Sequence, residues 1–520
     1  MPSTISGKSS FVDRSVPLLL GLLALVFSAR SVLTHRVFND TADEAVHINC
    51  GLELWQWGRY RSEPQHPPLA RALLALPPYL AGLRYDQRHA IWDNASRDFY
   101  WRTLSLARTG NLVFVPFLLV YVYLWGRRMS GATSGLAAAA LVSLSPNLLA
   151  HASLATLDFG AATTIFIAAY YLWRWSLEPT RRLAVAAGVC CALAVLTKFS
   201  ALVVLPPIGV GFLALARRRP RLDSAGMALG IALLLVWAGY GFDVGGLEKP
   251  QFLAPEGTRT QRIQAWVETT DTQSRLPAPG LVRGLLDVAG HNAQGHACYL
   301  LGRLGQYGWW YYFPVALAVK TTLPLLALAA LGLLRRPSAA VLGAAILVAV
   351  AMPSNLNLGV RHILAVYPLL ALAAAPLFAS GRRALLAAAL ALAGWHGVES
   401  VRAHPDYLAY FNQVARGREE AFLLDSNLDW GQDLERLRIY LDANQVSEVH
   451  LSYFGRADPA RFGIRGLRRL PPDLRPSGWV AVSKAHIAGL ALQGYNLGWL
   501  RAHRPVARIG YSILVYRFDP

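Results

Sequence analysis

The fold turns on Val16-Pro-Leu-Leu-Leu-Gly-Leu-Leu-Ala-Leu-Val-Phe-Ser-Ala29, an apolar run that follows the polar residues 1–15 with their Lys8 and Arg14. Phe27-Ser-Ala29 loosely resembles a cleavage site, so the run reads either as a signal peptide or as a retained first span. Charge decides. With the run retained and the N-terminus inside, the short inner loops hold Arg127/Arg128, Arg181/Arg182, Arg217/Arg218/Arg219/Arg221, Arg335/Arg336 and Arg382/Arg383. The short outer turns then hold only Lys198 and Arg361. The positive-inside rule requires this asymmetry, and removing the first run inverts it. The span is retained.

Outward from that span, apolar runs recur along the 520 residues, 54% of which are hydrophobic and 16% charged. A soluble chain carries about a quarter charged residues, so the fold class is an α-helical polytopic membrane protein. Eleven spans are expected, at 16–34, 104–125, 132–150, 158–175, 183–198, 199–216, 224–241, 311–333, 338–353, 361–380 and 384–398. They put the N-terminus inside and the C-terminus outside. The net charge of +19 falls largely at span ends, where it sets topology and meets lipid headgroups. No basic patch sits on a nucleic-acid-binding motif, so nucleic acid is not an expected partner.

Two domains follow: a membrane part over 1–399, with long outer loops at about 35–103 and 242–310, and a small outer α/β domain over 400–520. In the latter, 449–454, 479–483 and 512–518 alternate as strands do, and 430–443 has a helical pattern. The segment 68–83 is amphipathic and is expected on the membrane surface. Gly308-Trp-Trp-Tyr-Tyr-Phe-Pro314 has the composition of an interfacial aromatic belt. Cys190 and Cys191 are packing residues, whereas Cys50 and Cys298 share the outer side and leave a disulfide open.

Chemistry-bearing residues gather at the outer face. In the first loop, Thr41-Ala-Asp-Glu-Ala-Val-His47 has the form of a capping box, with Asp43 and His47 on one helix face and Glu44 about 100° away. Gln65-His-Pro-Pro-Leu69 follows. His151 and Asp158 flank the third-to-fourth turn, Lys198 the fifth-to-sixth, and Arg361-His362 the ninth-to-tenth, while Arg102 and Arg108 open the second span. Individually these are explicable as caps and snorkelling ends. Together they set carboxylates for base work beside cations able to hold a phosphate at the bilayer surface. Lys320 lies near the middle of a span, a functional candidate by default. No Walker loop, strand-embedded G-x-G-x-x-G or metal signature is present, so a soluble nucleotide donor is disfavoured.

These residues resemble polyprenyl-phosphate-dependent glycosyltransferases of the GT-C fold, in the protein O-mannosyltransferase-like group that includes aminoarabinose transferases. The likeness runs through Asp43-Glu44, His66-Pro-Pro-Leu69, Ala107-Arg108, Leu154-Ala-Thr-Leu-Asp158 and Leu196-Thr-Lys-Phe199. Asn357-Leu-Gly-Val-Arg-His362 and Asp425-Ser-Asn-Leu-Asp-Trp-Gly-Gln-Asp433 are similar to those of a bacterial branch. The resemblance implies Asp43 as catalytic base, Glu44 as a supporting acid and Asp158 as a second acid. It also implies Arg108 on the lipid phosphate, His66 on the acceptor side, and an inverting single displacement. Topology and charge add Arg361 and Lys198 to the phosphate-binding set, and His47 and His362 to the site-shaping one. The mannosyltransferases carry a β-trefoil within an outer loop; here an α/β domain follows the last span, which puts a protein acceptor in doubt.

The expected activity is transfer of a hexose or pentose from a polyprenyl-phosphate carrier to an acceptor hydroxyl of a protein, lipid or glycan. A transporter or flippase of lipid-linked sugars is the alternative, and would use the same cations without a base. No cofactor is demanded, although three carboxylates near one site leave Mg²⁺ or Mn²⁺ open. Ala-, Leu- and Arg-rich composition suggests a bacterial inner membrane, with the outer side periplasmic.

Overall fold

The computed structural model describes residues 11–85, 96–216, 222–269, 275–335, 338–470, 476–490 and 497–519. Arg217, Arg218, Arg219, Arg221 and Arg336 of the expected inner loops lie outside them. Every expected span coincides with a helix or a broken pair of helices. The first is α1 (Phe11–Val32). Three outer-loop helices follow, α2 (Glu44–Trp57), α3 (Pro68–Leu80) and α4 (Arg97–Thr109), the last running through a 3₁₀ turn into α5 (Phe114–Ser130). Next come α6 (Ala132–Ser143), α7 (Pro146–Ala152), α8 (Asp158–Leu177), α9 (Arg181–Thr197), α10 (Ser200–Ala214) and α11 (Leu222–Gly239).

The second outer loop holds α12 (Arg259–Thr269), α13 (Pro279–Gln294) and two small antiparallel pairs, β1 (Val244–Gly245) with β2 (Leu276–Pro277) and β3 (Cys298–Leu300) with β4 (Arg303–Gly305). The membrane part closes with α14 (Tyr312–Lys320), α15 (Leu323–Arg335), α16 (Ala339–Ala351), α17 (Val366–Ala374) and α18 (Arg383–Arg402).

Among the described residues, four helices are long and apolar enough to cross a bilayer alone, or six if each bent pair is one span. The remaining expected spans fall on α8, α9 and three shorter apolar helices. The 15 residues of α10 rise only about 22 Å, less than the roughly 30 Å hydrocarbon core. The expected single span at 311–333 is broken. Its two halves bend by 112° between Lys320 and Leu323, where Pro324 and the Thr321-Thr322 pair interrupt the ladder of backbone bonds.

Helix α3 differs from its expected place on the membrane surface. Ala70, Arg71, Leu74 and Ala75 are fully buried, because α3 packs between α2 and α4. Gly51 makes this approach possible: a Cβ there would stand 2.1 Å from the carbonyl oxygen of Arg71.

After α18 the chain does not leave at once. Tyr407, Phe411, Leu423, Leu428 and Trp430 are buried in the same apolar core as the membrane helices. Residue 400, the expected domain boundary, therefore precedes a segment woven into the membrane part. Lys320, for which the sequence suggested no partner, donates to the carbonyls of Leu408 (2.7 Å) and Asn427 (2.6 Å) in that segment. A buried ammonium needs such acceptors, and here they staple the C-terminal segment to the helix break.

Past the short helix α19 (Glu419–Phe422), α20 (Leu434–Ala443) starts four residues later than its pattern suggested, because Gly431 takes φ +82°. The sheet then has the order β6-β5-β7-β9-β8: β5 (Val449–Ser452), β6 (Leu467–Arg469) and β7 (Gly478–Ser483) are parallel, and β8 (Ala507–Ile509) and β9 (Ile513–Phe518) antiparallel. The three-residue strands β6 and β8 are too short for an alternation to betray them. A second core joins α2, α3 and α4 to α20 and this sheet. All four cysteines are free, so Cys50 and Cys298 are not bonded.

Candidate active site

Asp43 stands just before the first turn of α2, with its side chain 31% exposed. Its Oδ2 accepts from Nη1 of Arg361 at 2.9 Å, and the same Nη1 lies 3.7 Å from Oδ2 of Asp158. Asp158 opens α8, and its Oδ1 accepts from Lys198 Nζ at 2.6 Å. Lys198 is the residue at which α9 ends. Two acids and two cations thus alternate in one chain of contacts at the end of α8 and α9 opposite Arg181 and Arg182. The guanidinium of Arg361 also lies 4.2 Å over the ring of Trp430, which holds it by cation–π attraction. Burial opposes the Asp43 carboxylate, but Arg361 beside it holds its pKa below the ordinary value.

Arg361 is not saturated. Its Nε is buried with no partner, and only Nη1 makes a hydrogen bond among the described residues. An arginine has five N–H donors, so this one retains the capacity to grip an anion.

Glu44 and Arg108 occupy a different place from the one expected of them. They form a fully buried bidentate pair, Nε to Oε1 and Nη2 to Oε2, both at 2.8 Å. Nη1 of Arg108 donates to the carbonyls of His35 and Phe38, and Nη2 to that of Asn39. All five donors are taken. Glu44 additionally accepts from the backbone of Thr41 and Ala155 and from the Thr41 hydroxyl. The anticipated capping box is therefore half made: Glu44 reaches back to Thr41, but Asp43 is the residue at the helix boundary. The reason is desolvation. A buried guanidinium must satisfy every N–H, and the carbonyls of the chain leaving α1 do so. In this arrangement neither residue has a polar group left for a donor phosphate or for the reaction.

Four histidines lie among these groups. Nδ1 of His47 accepts from Nε of Arg71 at 3.2 Å, which puts the ring proton on Nε2. Burial, and then the charge of Arg71, bring the pKa of His47 down to about 3. It is therefore a neutral donor and not a base. His66 packs edge-on to it with ring centroids 5.5 Å apart, and burial followed by Arg71 keeps its pKa well below the ordinary value. His362 adjoins Arg361 and lies 6.3 Å from the Phe313 ring; His151 lies 6.4 Å from Trp430. Arg71 and the role of Trp430 escaped the sequence reading. Arg71 is one basic residue on an amphipathic helix, and only the packing of α3 turns it inward.

A divalent cation fits poorly. Asp43 and Asp158 are already neutralised by Arg361 and Lys198, and no group of three His, Cys, Asp or Glu converges as a metal site among the described residues.

Comparisons with known proteins bear on the fold. The model of the dolichyl-phosphate-mannose-protein mannosyltransferase family matches residues 41–237, less than half of the chain. The structure of ArnT from Cupriavidus metallidurans bound to undecaprenyl phosphate matches over 96% of this chain and 97% of its own, with a TM-score of 0.51 at 12% identity. This is the GT-C membrane fold. The resemblance read from the motifs is thereby shown, and a likeness at that identity speaks for fold alone. Two further structures score lower and add no argument. The Archaeoglobus fulgidus oligosaccharyltransferase has a TM-score of 0.48, with 15% identity over 76% of this chain and 56% of its own. The Saccharomyces cerevisiae (S. cerevisiae) protein O-mannosyltransferase Pmt1-Pmt2 complex has 0.32, with 13% identity over 55% and 38%. No curated protein matches the chain in sequence. Within the GT-C fold, the mannosyltransferase-like region 41–237 contains Asp43, Glu44, His47, His66, Arg108, Asp158 and Lys198 but not Arg361.

Proposed function

We propose that this protein is an integral-membrane glycosyltransferase that moves one hexose or pentose from a polyprenyl-phosphate carrier to an acceptor hydroxyl on the outer face of the membrane. The observation that carries the reading is a part-exposed Asp43 carboxylate paired with Arg361, which has unused donors and is joined through Asp158 to a second cation, Lys198. The family match over this region and the undecaprenyl phosphate bound by the C. metallidurans ArnT support a lipid-linked donor.

Asp43 takes the proton of the acceptor hydroxyl, and that oxygen attacks the anomeric carbon opposite the phosphate. The new bond forms as the bond from the anomeric carbon to the phosphate oxygen breaks. The electron pair leaves with the polyprenyl phosphate, whose charge Arg361 and Lys198 stabilise. One displacement inverts the anomeric centre, with no sugar–enzyme intermediate. Asp158 acts as a positioning residue that holds both cations, and the Glu44–Arg108 clasp contributes to stability rather than to the reaction. His66, His47 and His362 shape the acceptor side. The N-terminus is cytoplasmic and the region after α18 lies outside, in the periplasm of a bacterial inner membrane.

The test uses purified protein in lipid, a panel of polyprenyl-phosphate sugars and a membrane extract as acceptor source. Wild type should consume a donor and Asp43→Asn should not. Lipid scrambling that survives Asp43→Asn, with no donor consumed by either protein, would overturn the transferase in favour of a flippase.

A further inference from the structure

Three acids around the start of α2 have a cation: Asp43 has Arg361, Asp158 has Lys198, and Glu44 has Arg108. Asp425 has none at ion-pair distance among the described residues. It is 9% exposed, its Oδ1 accepts only from the next backbone N–H, and its Oδ2 accepts no hydrogen bond among the described residues. Yet it stands beside the site, since the residues that follow it, Ser426 and Asn427, are bonded to the loop that carries Arg361. A carboxylate oxygen that no protein group satisfies takes its donor from water or from a ligand.

The surrounding loop holds Asp425 in place by many bonds. Its backbone takes φ +56°, a left-handed conformation rare for a residue with a side chain. Such a conformation persists where neighbours over-determine it, and here they do. Ser426 Oγ donates to the carbonyl of Leu358, Val360 N–H donates to Asn427 Oδ1 at 3.0 Å, and Asn427 Nδ2 donates to the Tyr312 hydroxyl at 3.0 Å. Lys320 fastens the Asn427 carbonyl. Gly359 lets the two loops meet, because a Cβ there would stand 2.4 Å from Ser426 Oγ. Both loops are thus locked in register, one carrying Arg361 and the other Asp425 and Trp430.

We infer that Asp425 is a substrate-contacting residue of the transfer site, supplied by the segment after the last span, whose carboxylate accepts a hydrogen bond from a hydroxyl of the sugar in transit or of the acceptor. The inference rests on the transferase reading. A substrate hydroxyl would bring the donor that Oδ2 lacks. Burial lifts the carboxyl's pKa to about 6 against the pull of Arg361, which leaves it ionised, and able to accept, at neutral pH.

The experiment compares wild type, Asp43→Asn, Asp425→Asn and Asp425→Gly as full chains in lipid, with polyprenyl-phosphate sugars and membrane extract. Asn and Gly both suit a left-handed backbone, so a role confined to the turn would leave turnover and thermal unfolding near wild type. The contact role predicts that both variants melt like wild type and lose about ten- to hundredfold in kcat/KM, the worth of a hydrogen bond to a charged group. Loss in the apparent KM for donor assigns the contact to the sugar, and loss at saturating donor assigns it to the acceptor. Wild-type turnover in either Asp425 variant overturns the inference. Equal turnover in wild type and Asp43→Asn instead overturns the transferase reading beneath it.

Discussion

Two arginine–carboxylate pairs sit on either side of one residue boundary, and they are opposites. Glu44 and Arg108 are sealed, with every donor of the guanidinium assigned and no exposure on either side chain. Asp43 and Arg361 share one hydrogen bond, leave the guanidinium Nε without a partner, and keep part of the carboxylate open. Adjacent residues on a helix point about 100° apart, so one acid turns to the interior and its neighbour to the site. The comparison teaches that the number of donors left over, rather than the presence of an ion pair, separates a clasp from a binding group.

The comparison breaks most sharply at Asp43. Asp43→Asn should lower donor turnover by about 10²–10⁴-fold, the usual worth of a positioned base, without changing thermal unfolding. Turnover near wild type would make the open pair as structural as the closed one. Next in size is Arg361→Ala, expected to cost about 10²–10³-fold in kcat as a lost stabiliser of developing charge. Single-turnover kinetics with bound donor would check it, and an unchanged rate would return the phosphate to some other cation.

A smaller effect comes from pH. Lowering the pH through about 6 protonates Asp425, and a protonated carboxyl no longer accepts as a carboxylate does. Arg361, Asp43, Tyr312 and Cys298 are the charged and titratable groups around it, and Asp43 remains ionised there because Arg361 holds its pKa down. Wild-type turnover should fall about tenfold per unit below that point, while Asp425→Asn should be slow and flat across it. A wild-type profile without that limb would separate Asp425 from the reaction.

The clasp should matter least to chemistry. Arg108→Met leaves Glu44 buried and unpaired, at a cost of about 3–5 kcal/mol in stability, seen as a lower melting temperature. The double change Glu44→Gln with Arg108→Met should recover part of it, and turnover per folded molecule should stay at the wild-type level. A double variant that folds but does not turn over would bring the clasp back into the reaction.

Much of this was legible in the chain and some was not. Asp43, Asp158, Lys198 and Arg361 could be brought to one face by counting spans, because each closes or opens an apolar run. Arg71 could not, since nothing in a single basic residue on an amphipathic segment says that α3 will pack inside. The span expected over 311–333 gave no sign of its 112° bend, nor of the carbonyl partners of Lys320. Those partners lie about ninety to a hundred residues further on.

By itself the sequence determined the membrane class, the order of the helices and the identity of the acids and cations that open or close the apolar runs. Apolar run length, charge asymmetry and 3.6-residue periodicity are local properties that a chain carries in its own order. Only the tertiary structure decided which arginine is spent and which keeps donors free, and that the segment after the last span sets Trp430 against Arg361. The physical reason is that satisfaction of a buried charge depends on backbone carbonyls and loops distant in sequence, and no local pattern encodes where they will meet.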